Sequence, residues 1–245
     1  MIQKNLIYFG NSENSINPDC YKNYNNQDYL DFLEQNKKYF EVDNLVLPKQ
    51  THGTSGIILT NKNVLNKTVF NTNLPESWKI ESDYLITDLK NIGIGVLTAD
   101  CLPIIIIDDK LSVVAAIHAG WRGTVNGIIE DCVNNLINNF GSNPENLSAY
   151  LGPCAKSCCY EVQDDFVNNL KKTILSSPLV PSVFRSLSVE KCIKGSISNK
   201  TYFDLPKLAL IKLENLGLKA ENINLENNIC TICNPQFCSY RKNKN

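Results

Sequence analysis

The sequence of 245 residues lacks the features of several broad protein classes. Its formal net charge is −1 and its pI is near 6.2, whereas electrostatic nucleic-acid binders usually have a pI above about 9. No run approaches the roughly 18 apolar residues of a membrane helix, and the N-terminus is too polar for a signal peptide. We therefore predict a cytoplasmic protein that binds neither nucleic acid nor a membrane. The short basic cluster at residues 241–244 predicts a solvated tail.

Histidine is the scarcest ionisable residue, with two copies against ten cysteines. In a reducing compartment these cysteines are expected to be mostly thiols, and their number favours metal or nucleophile chemistry. Both histidines, His52 and His118, lie in glycine-bounded turns beside predicted strand ends, where functional residues concentrate.

Three buried strands are predicted in the middle of the chain, at residues 93–97, 102–107 and 112–118. The polar connection between the second and third strands is typical of a hairpin. If the three form an up-down-up meander, Cys101 and His118 emerge at the same sheet edge, about 10 Å apart because one strand lies between them.

A helix is predicted over residues 124–140, with Thr124 as N-cap and Gly141 as terminator. A later helix is predicted to begin after Asp204 with Pro206 in its first turn. Strands and helices mix without regular βαβ alternation. We therefore predict an α+β fold, a single domain of layered mixed β-sheets with flanking helices.

Cys101 and His118 allow two chemistries if they meet. They can act as a nucleophile and its base, or they can join His52 in a Cys-His₂ set that leaves one coordination position open, as in catalytic zinc sites. The residues alone leave both alternatives open. Asp83, Asp88 and Asp100 are candidate orienting carboxylates.

Arg122 lies between two glycines just before the predicted helix 124–140. A guanidinium beside the free N–H groups of a helix start suits phosphate or another anion. The remaining cysteines form two clusters, Cys154/Cys158/Cys159 and Cys230/Cys233/Cys238. A zinc ribbon would require the first cluster to supply the partner pair for the second.

Three motif-based alternatives fail on the residues. Neither histidine is followed by the glutamate of the zinc deaminase signature, and no glycine-rich nucleotide loop is present in the sequence. A blue-copper centre alone consumes two histidines, which leaves none for the other coppers of a multicopper site.

Several blocks together resemble the family known as laccase-domain, multicopper polyphenol oxidase or peptidoglycan editing factor (YfiH-like) proteins. The blocks are Gln50-Thr51-His52-Gly53, Ser82-Asp83-Tyr84, Thr98-Ala99-Asp100-Cys101, His118-Ala119-Gly120-Trp121-Arg122-Gly123, Cys159-Tyr160-Glu161-Val162 and Ser239-Tyr240-Arg241. The resemblance covers nearly the whole chain and implies one domain, residues 1–245, with the fold shared by YfiH and the cytotoxic-necrotizing-factor cysteine hydrolases.

The resemblance also implies a function. Members are described as purine nucleoside phosphorylases with adenosine deaminase and S-methyl-5′-thioadenosine phosphorylase activity, so purine nucleosides and inorganic phosphate are the expected partners. It implies a metal held by His52, Cys101 and His118, with zinc favoured over copper, and we assign the catalytic roles to Cys101, His118 and Arg122. The alternatives are a Cys-His hydrolase that edits a peptidoglycan precursor and a non-catalytic metal or redox protein.

Overall fold

The described part of the chain contains five α-helices and eleven β-strands. The structure is a computed structural model, and it describes residues 7–14, 27–60, 81–176, 193–197 and 200–242. The helices are α1 Gln27–Phe40, α2 Trp121–Asn126, α3 Ile128–Phe140, α4 Asp164–Ser176 and α5 Leu205–Asn215. The strands are β1 Asn44–Val46, β2 Gly56–Leu59, β3 Tyr84–Thr87, β4 Ile92–Ile94, β5 Leu102–Asp108, β6 Val113–Ala119, β7 Ser148–Leu151, β8 Glu161–Val162, β9 Ile193–Ile197, β10 Lys200–Phe203 and β11 Ile223–Asn224.

A six-stranded mixed sheet forms the centre of the fold, in the order β11-β7-β5-β6-β3-β2. β5 pairs antiparallel with β6 and with β7, whereas the outer pairs β2–β3 and β7–β11 are parallel. β5 is a continuous apolar run because this central strand is buried along almost its whole length. The mixed sheet and its flanking helices confirm the predicted α+β class.

The hairpin of β5 and β6 is confirmed, but the predicted meander is wrong. Asp108 closes the hairpin, since its Oδ1 accepts hydrogen bonds from the backbone N–H groups of Lys110 and Leu111, each at 3.1 Å. β4, which was to be the first strand of the meander, instead pairs with β1 in a separate two-stranded parallel sheet. Cys101 directly precedes β5, and β5 lies beside β6. No strand therefore separates Cys101 from His118.

The helix predicted over residues 124–140 is broken at Gly127 into α2 and α3. Gly127 has a φ of 103°, a left-handed conformation that glycine adopts without steric cost. α2 begins before Thr124, so Thr124 is not an N-cap, and its hydroxyl donates to the carbonyl oxygen of Gly120 at 2.9 Å. The helical spacing of apolar residues continues across the break, which is why the sequence pattern did not reveal it. Gly141 ends α3 as predicted.

The two faces of the sheet carry different apolar clusters. On one face α3 packs with its buried side chains Ile128, Ile129, Cys132, Val133 and Leu136. The hydroxyl of Tyr84 links β3 to this helix, because it donates to Asp131 Oδ2 at 2.6 Å and accepts from Asn135 Nδ2 at 2.9 Å. On the other face Leu85 packs with Val46 of β1 and with residues of β4. Because successive side chains of β3 point to opposite faces of the sheet, Tyr84 and Leu85 belong to different clusters.

The start of α5 follows the sequence prediction. Asp204 is the N-cap, and its Oδ1 accepts a hydrogen bond from the backbone N–H of Lys207 at 3.1 Å, while Pro206 lies in the first turn. Within the described ranges, no helix has both the length and the apolar character that crossing a bilayer requires.

We expect Leu136→Ala in α3 to destabilise the protein by about 3 kcal/mol, because it leaves a cavity between this helix and the sheet. Leu111→Ala is the matched control, since Leu111 in the β5–β6 turn is 44% exposed, and its cost should stay below about 1 kcal/mol. Urea unfolding of both variants measures the difference. Equal losses in the two variants would contradict the assignment of the core.

Candidate active site

Four strand ends meet at one edge of the large sheet. β2, β3 and β5 begin there and β6 ends there, because β2 and β3 are parallel and β6 is antiparallel to β3 and β5. Asp83, just before β3, lies opposite His118, and its carbonyl oxygen accepts the His118 backbone N–H at 2.7 Å. Cys101 lies one residue before Leu102 of β5, which pairs with Ala119 of β6, the residue after His118. Since side chains alternate along a strand, Asp83, Cys101 and His118 belong to the same face.

Three metal-ligating side chains converge at this edge. The donor atoms of His52, Cys101 and His118 all lie within 4.8 Å of one another, and the two imidazole centroids are 4.7 Å apart. His118 is buried, Cys101 is half-buried and His52 is exposed, so the site opens to solvent on the His52 side. The structure therefore brings the three predicted ligands together, closer than the 10 Å that the meander implied. Their role as ligands stays a prediction.

The buried carboxylate of Asp83 organises this site. Its Oδ1 accepts the backbone N–H of His52 at 2.9 Å and pairs with His118 Nδ1 at 2.7 Å. Its Oδ2 accepts the backbone N–H and hydroxyl of Thr51 at 3.2 and 3.0 Å and the backbone N–H of Gly53 at 2.7 Å. Burial disfavours the carboxylate, but the hydrogen bonds from His118, Gly53 and Thr51 outweigh it and lower the pKa of Asp83 to about 2.

The thiol and the buried imidazole change each other's protonation. Burial disfavours the imidazolium, but the hydrogen bonds to Asp83 and Cys101 raise the pKa of His118 to about 9. Burial also disfavours the thiolate, but hydrogen bonds from His118 and His52 lower the pKa of Cys101 to about 7. Cys101 is thus an activated sulfur, which suits both a nucleophile and a metal ligand.

The residues of this edge fit a transition-metal ion. A thiolate and two imidazoles are ligands that zinc and copper accept. Because Asp83 occupies His118 Nδ1, the other ring nitrogen, Nε2, is left to bind an ion, and such a carboxylate partner is typical of metal-bound histidine. Gly120 leaves room for the three donors, since a Cβ there would lie 3.1 Å from Cys101 Sγ and 3.4 Å from His52 Cδ2.

Two residues of the site have a left-handed backbone without being glycine. His52 has a φ of 61° and Asp100 a φ of 90°, conformations that cost about 1–3 kcal/mol each and persist where neighbouring groups impose them. Asp83 fixes the backbone N–H of His52. Asp100 is held through its carboxylate, whose Oδ1 accepts the Thr231 hydroxyl at 2.7 Å and whose Oδ2 accepts the Arg241 backbone N–H at 2.8 Å. Asp100 therefore orients the loop before Cys101 and not an imidazole.

Of the predicted solvated tail, residues 243–244 lie outside the described part of the chain. Arg241 is exposed, as predicted, but its side chain makes two specific contacts. Its Cζ lies 4.4 Å from the centroid of the Tyr160 ring, and its Nη1 donates to the carbonyl oxygen of Glu161 at 2.6 Å. Charge patterning alone did not predict these contacts, although Arg241 belongs to the Ser-Tyr-Arg block that resembles the family. Burial raises the pKa of Tyr160 to about 12, and the charges of Arg241, Cys101 and Arg122 have smaller effects on that pKa.

Arg122 and Asp88 do not lie where the sequence analysis expected them. Arg122 lies inside α2 and not before a helix, is exposed, and places its Cζ 4.4 Å from the Trp121 ring centroid. α2 has six residues and Arg122 is the second of them, and its role in binding an anion stays a prediction. Asp88 follows the far end of β3 and is exposed, so it does not orient the site.

Comparisons with known proteins find relatives over most of the chain. The model of the family described as multi-copper polyphenol oxidoreductase laccase matches residues 23–245. A purine nucleoside phosphorylase of Clostridium acetobutylicum is 29% identical over 242 residues, which are 96% of this chain and 85% of that protein. Adenosine deaminase RL5, from an unknown prokaryotic organism, is 30% identical over 203 residues, which are 82% of this chain and 71% of that protein. The crystal structure of the hypothetical protein YfiH of Bacillus licheniformis matches with a TM-score of 0.73 at 25% identity, over 89% of this chain and 77% of that one.

The depressed pKa of Asp83 predicts a loss of stability in acid. Its folded value of about 2, against 3.8 in the unfolded chain, contributes about 2 kcal/mol that is present above pH 4 and lost as pH falls through 2. Asp83→Asn should remove this contribution and flatten the pH dependence of the melting temperature between pH 4 and 2. Asp88→Asn, at the exposed end of the same strand, is the control and should melt like the parent protein. Parallel profiles for the parent and Asp83→Asn would contradict the prediction.

Proposed function

The chain belongs to the family described as multi-copper polyphenol oxidoreductase laccase, and from this premise we propose that it is a zinc-dependent purine nucleoside enzyme. It phosphorolyses inosine, adenosine and S-methyl-5′-thioadenosine, and it deaminates adenosine. Relatives named purine nucleoside phosphorylase and adenosine deaminase support a purine nucleoside substrate. The observation that carries the proposal is the convergence of the donor atoms of His52, Cys101 and His118 within 4.8 Å.

The family description does not extend to laccase chemistry in this chain, because two histidines are too few for a set of four coppers. His52, Cys101 and His118 hold one ion, and zinc is favoured over copper. When bound, the ion supplies the Lewis acidity that activates water for deamination at the purine. Asp83 holds the His118 ring through Nδ1, so that Nε2 is the nitrogen that would face the ion and would give up its proton on binding.

Arg122 binds the phosphate in phosphorolysis, where a phosphate oxygen attacks the anomeric carbon of the ribose. The bond from that carbon to the purine nitrogen breaks, and the purine leaves with a proton from the phosphate or the solvent. Its guanidinium is exposed and already held against the Trp121 ring, so it presents a fork of N–H donors to an anion at small entropic cost. Arg241 and Tyr160 provide a second wall, stacked at 4.4 Å. The exposed side of His52 leaves the entrance through which a nucleoside reaches Cys101 and His118.

A second candidate is a metal-free Cys-His hydrolase that edits a peptidoglycan precursor. The observation in its favour is the series Cys101, His118 and Asp83, in which a sulfur of lowered pKa contacts an imidazole held by a carboxylate. This candidate predicts no bound metal and a Cys101 that an electrophilic substrate analogue traps. The zinc enzyme predicts about one zinc at this site that is lost in His52→Ala.

We expect Cys101→Ser to lower the phosphorolysis of inosine and the deamination of adenosine by at least about 100-fold, because even the loss of a ligand's supporting hydrogen bond costs 10–100-fold. Cys238→Ser is the matched control, since it makes the same replacement at a half-buried cysteine outside the ligand set, and it should retain activity. A nucleoside panel with and without phosphate measures both reactions. Zinc-loaded parent protein that turns over no purine nucleoside overturns the proposal.

Arg122→Ala should raise the KM for phosphate at least about tenfold, because a charge-assisted hydrogen bond contributes about 1.5–3 kcal/mol. Deamination of adenosine uses water in place of phosphate and should change less than about threefold by the same reasoning. Arg122→Lys keeps the charge and should recover part of the loss. Equal losses in both reactions would assign Arg122 to the nucleoside or to the fold and would contradict the phosphate role.

A further inference from the structure

Four cysteines outside the candidate active site form a second compact group. The sulfur atoms of Cys158, Cys159, Cys230 and Cys233 all lie within 4.8 Å of one another, and none of the four is in a disulfide. In a tetrahedral zinc site with Zn–S distances near 2.3 Å, the sulfurs are about 3.8 Å apart. The four sulfurs therefore need to move by only about an ångström to coordinate one ion.

Two turns present these sulfurs to each other. The first turn covers residues 157–159, and the backbone N–H groups of Cys159 and Tyr160 both donate to the carbonyl oxygen of Lys156, at 2.9 and 2.8 Å. The second turn covers residues 231–233, which follow Cys230 and end at Cys233, the second cysteine of the Cys-x-x-Cys motif. The turns are distant in sequence, so the fold and not a local motif assembles the four thiols.

A backbone bridge holds the two turns in register. Cys154 and Cys230 form a parallel β-bridge, in which the Cys154 N–H donates to the Ile229 carbonyl oxygen and the Thr231 N–H donates to the Cys154 carbonyl oxygen, each at 3.0 Å. The sulfur of Cys154 is not part of the group. It is fully buried and accepts a hydrogen bond from Asn228 Nδ2 at 3.4 Å.

The four thiols differ in their exposure to solvent. Cys230 is buried whereas Cys158 and Cys233 are exposed, so an ion can enter from solvent.

We propose that Cys158, Cys159, Cys230 and Cys233 bind one zinc ion in a closed, four-sulfur structural site, distinct from the site of His52, Cys101 and His118. Binding exchanges the thiol protons for the ion, with up to four protons released to the solvent. All four coordination positions are taken by protein sulfur, which leaves no position for a substrate.

The site ties the C-terminal segment, residues 228–242, to the loop that carries Cys101. Thr231 lies inside the Cys-x-x-Cys turn, and its hydroxyl holds Asp100 Oδ1 at 2.7 Å. Arg241, later in the same segment, holds Asp100 Oδ2 through its backbone N–H. An ion that fixes the turn therefore also supports the left-handed backbone of Asp100, next to the candidate active site.

Zinc content of the full chain, purified under reducing conditions, tests the proposal. The double variant His52→Ala/Cys101→Ser should retain about one zinc, and its X-ray absorption spectrum should show four sulfurs near 2.3 Å. Adding Cys230→Ser to the double variant should remove that zinc, whereas adding Cys238→Ser should leave it. Because the active-site ligands are already absent in these variants, the result does not depend on the proposed function.

Cysteine alkylation of the parent protein, with and without zinc, tests the proposal even if Cys230→Ser fails to fold. Zinc should slow alkylation of Cys158, Cys159, Cys230 and Cys233 at least about tenfold, because coordination removes the free thiolate, and it should not protect Cys238. Alkylation rates that are the same with and without zinc, a double variant without bound zinc, or iron in place of zinc would each overturn the proposal.

Discussion

The carboxylate of Asp83 accepts hydrogen bonds from the loop at residues 51–53 and pairs with His118 Nδ1, and the geometry of the candidate active site depends on it. A buried carboxylate is stable only when donors surround it, and here those donors come from the two segments that carry the histidines. Satisfying this one charge therefore also fixes both imidazoles. It holds His52 in a left-handed backbone and orients the His118 ring through Nδ1, which together produce a group of donor atoms that is open to solvent on one side.

Strand pairing brings the remaining donor to the same place. Cys101 directly precedes β5 and His118 lies near the end of β6, so the antiparallel hairpin places them together without any intervening strand. Gly120 then allows the close approach, since any side chain there would meet the sulfur and the His52 ring. The register of β5 and β6 therefore places Cys101 close to His118. Asp100 orients the loop before Cys101, and its neighbours must maintain the strained backbone that this requires.

The C-terminal segment connects this edge of the sheet to the four-cysteine group. Thr231 and Arg241 both bind the carboxylate of Asp100, and Arg241 also stacks on Tyr160. These hydrogen bonds attach the segment to the loop that carries Cys101. A structural ion at Cys230 and Cys233 is a physically reasonable anchor for such a segment, because metal ligation adds stability where a small core cannot.

The sequence by itself determined the α+β class, the β5–β6 hairpin, the cap of α5 at Asp204 and the blocks that contain His52, Cys101, His118 and Arg122, because each depends on local patterns of polarity, turn chemistry or motif. Tertiary structure decided the strand order, the break at Gly127, the convergence of Cys158 and Cys159 with Cys230 and Cys233, and the role of Arg241. These features depend on contacts between residues far apart in the chain. Local periodicity continues through a glycine and says nothing about which strand pairs with which, so only the folded backbone settles them.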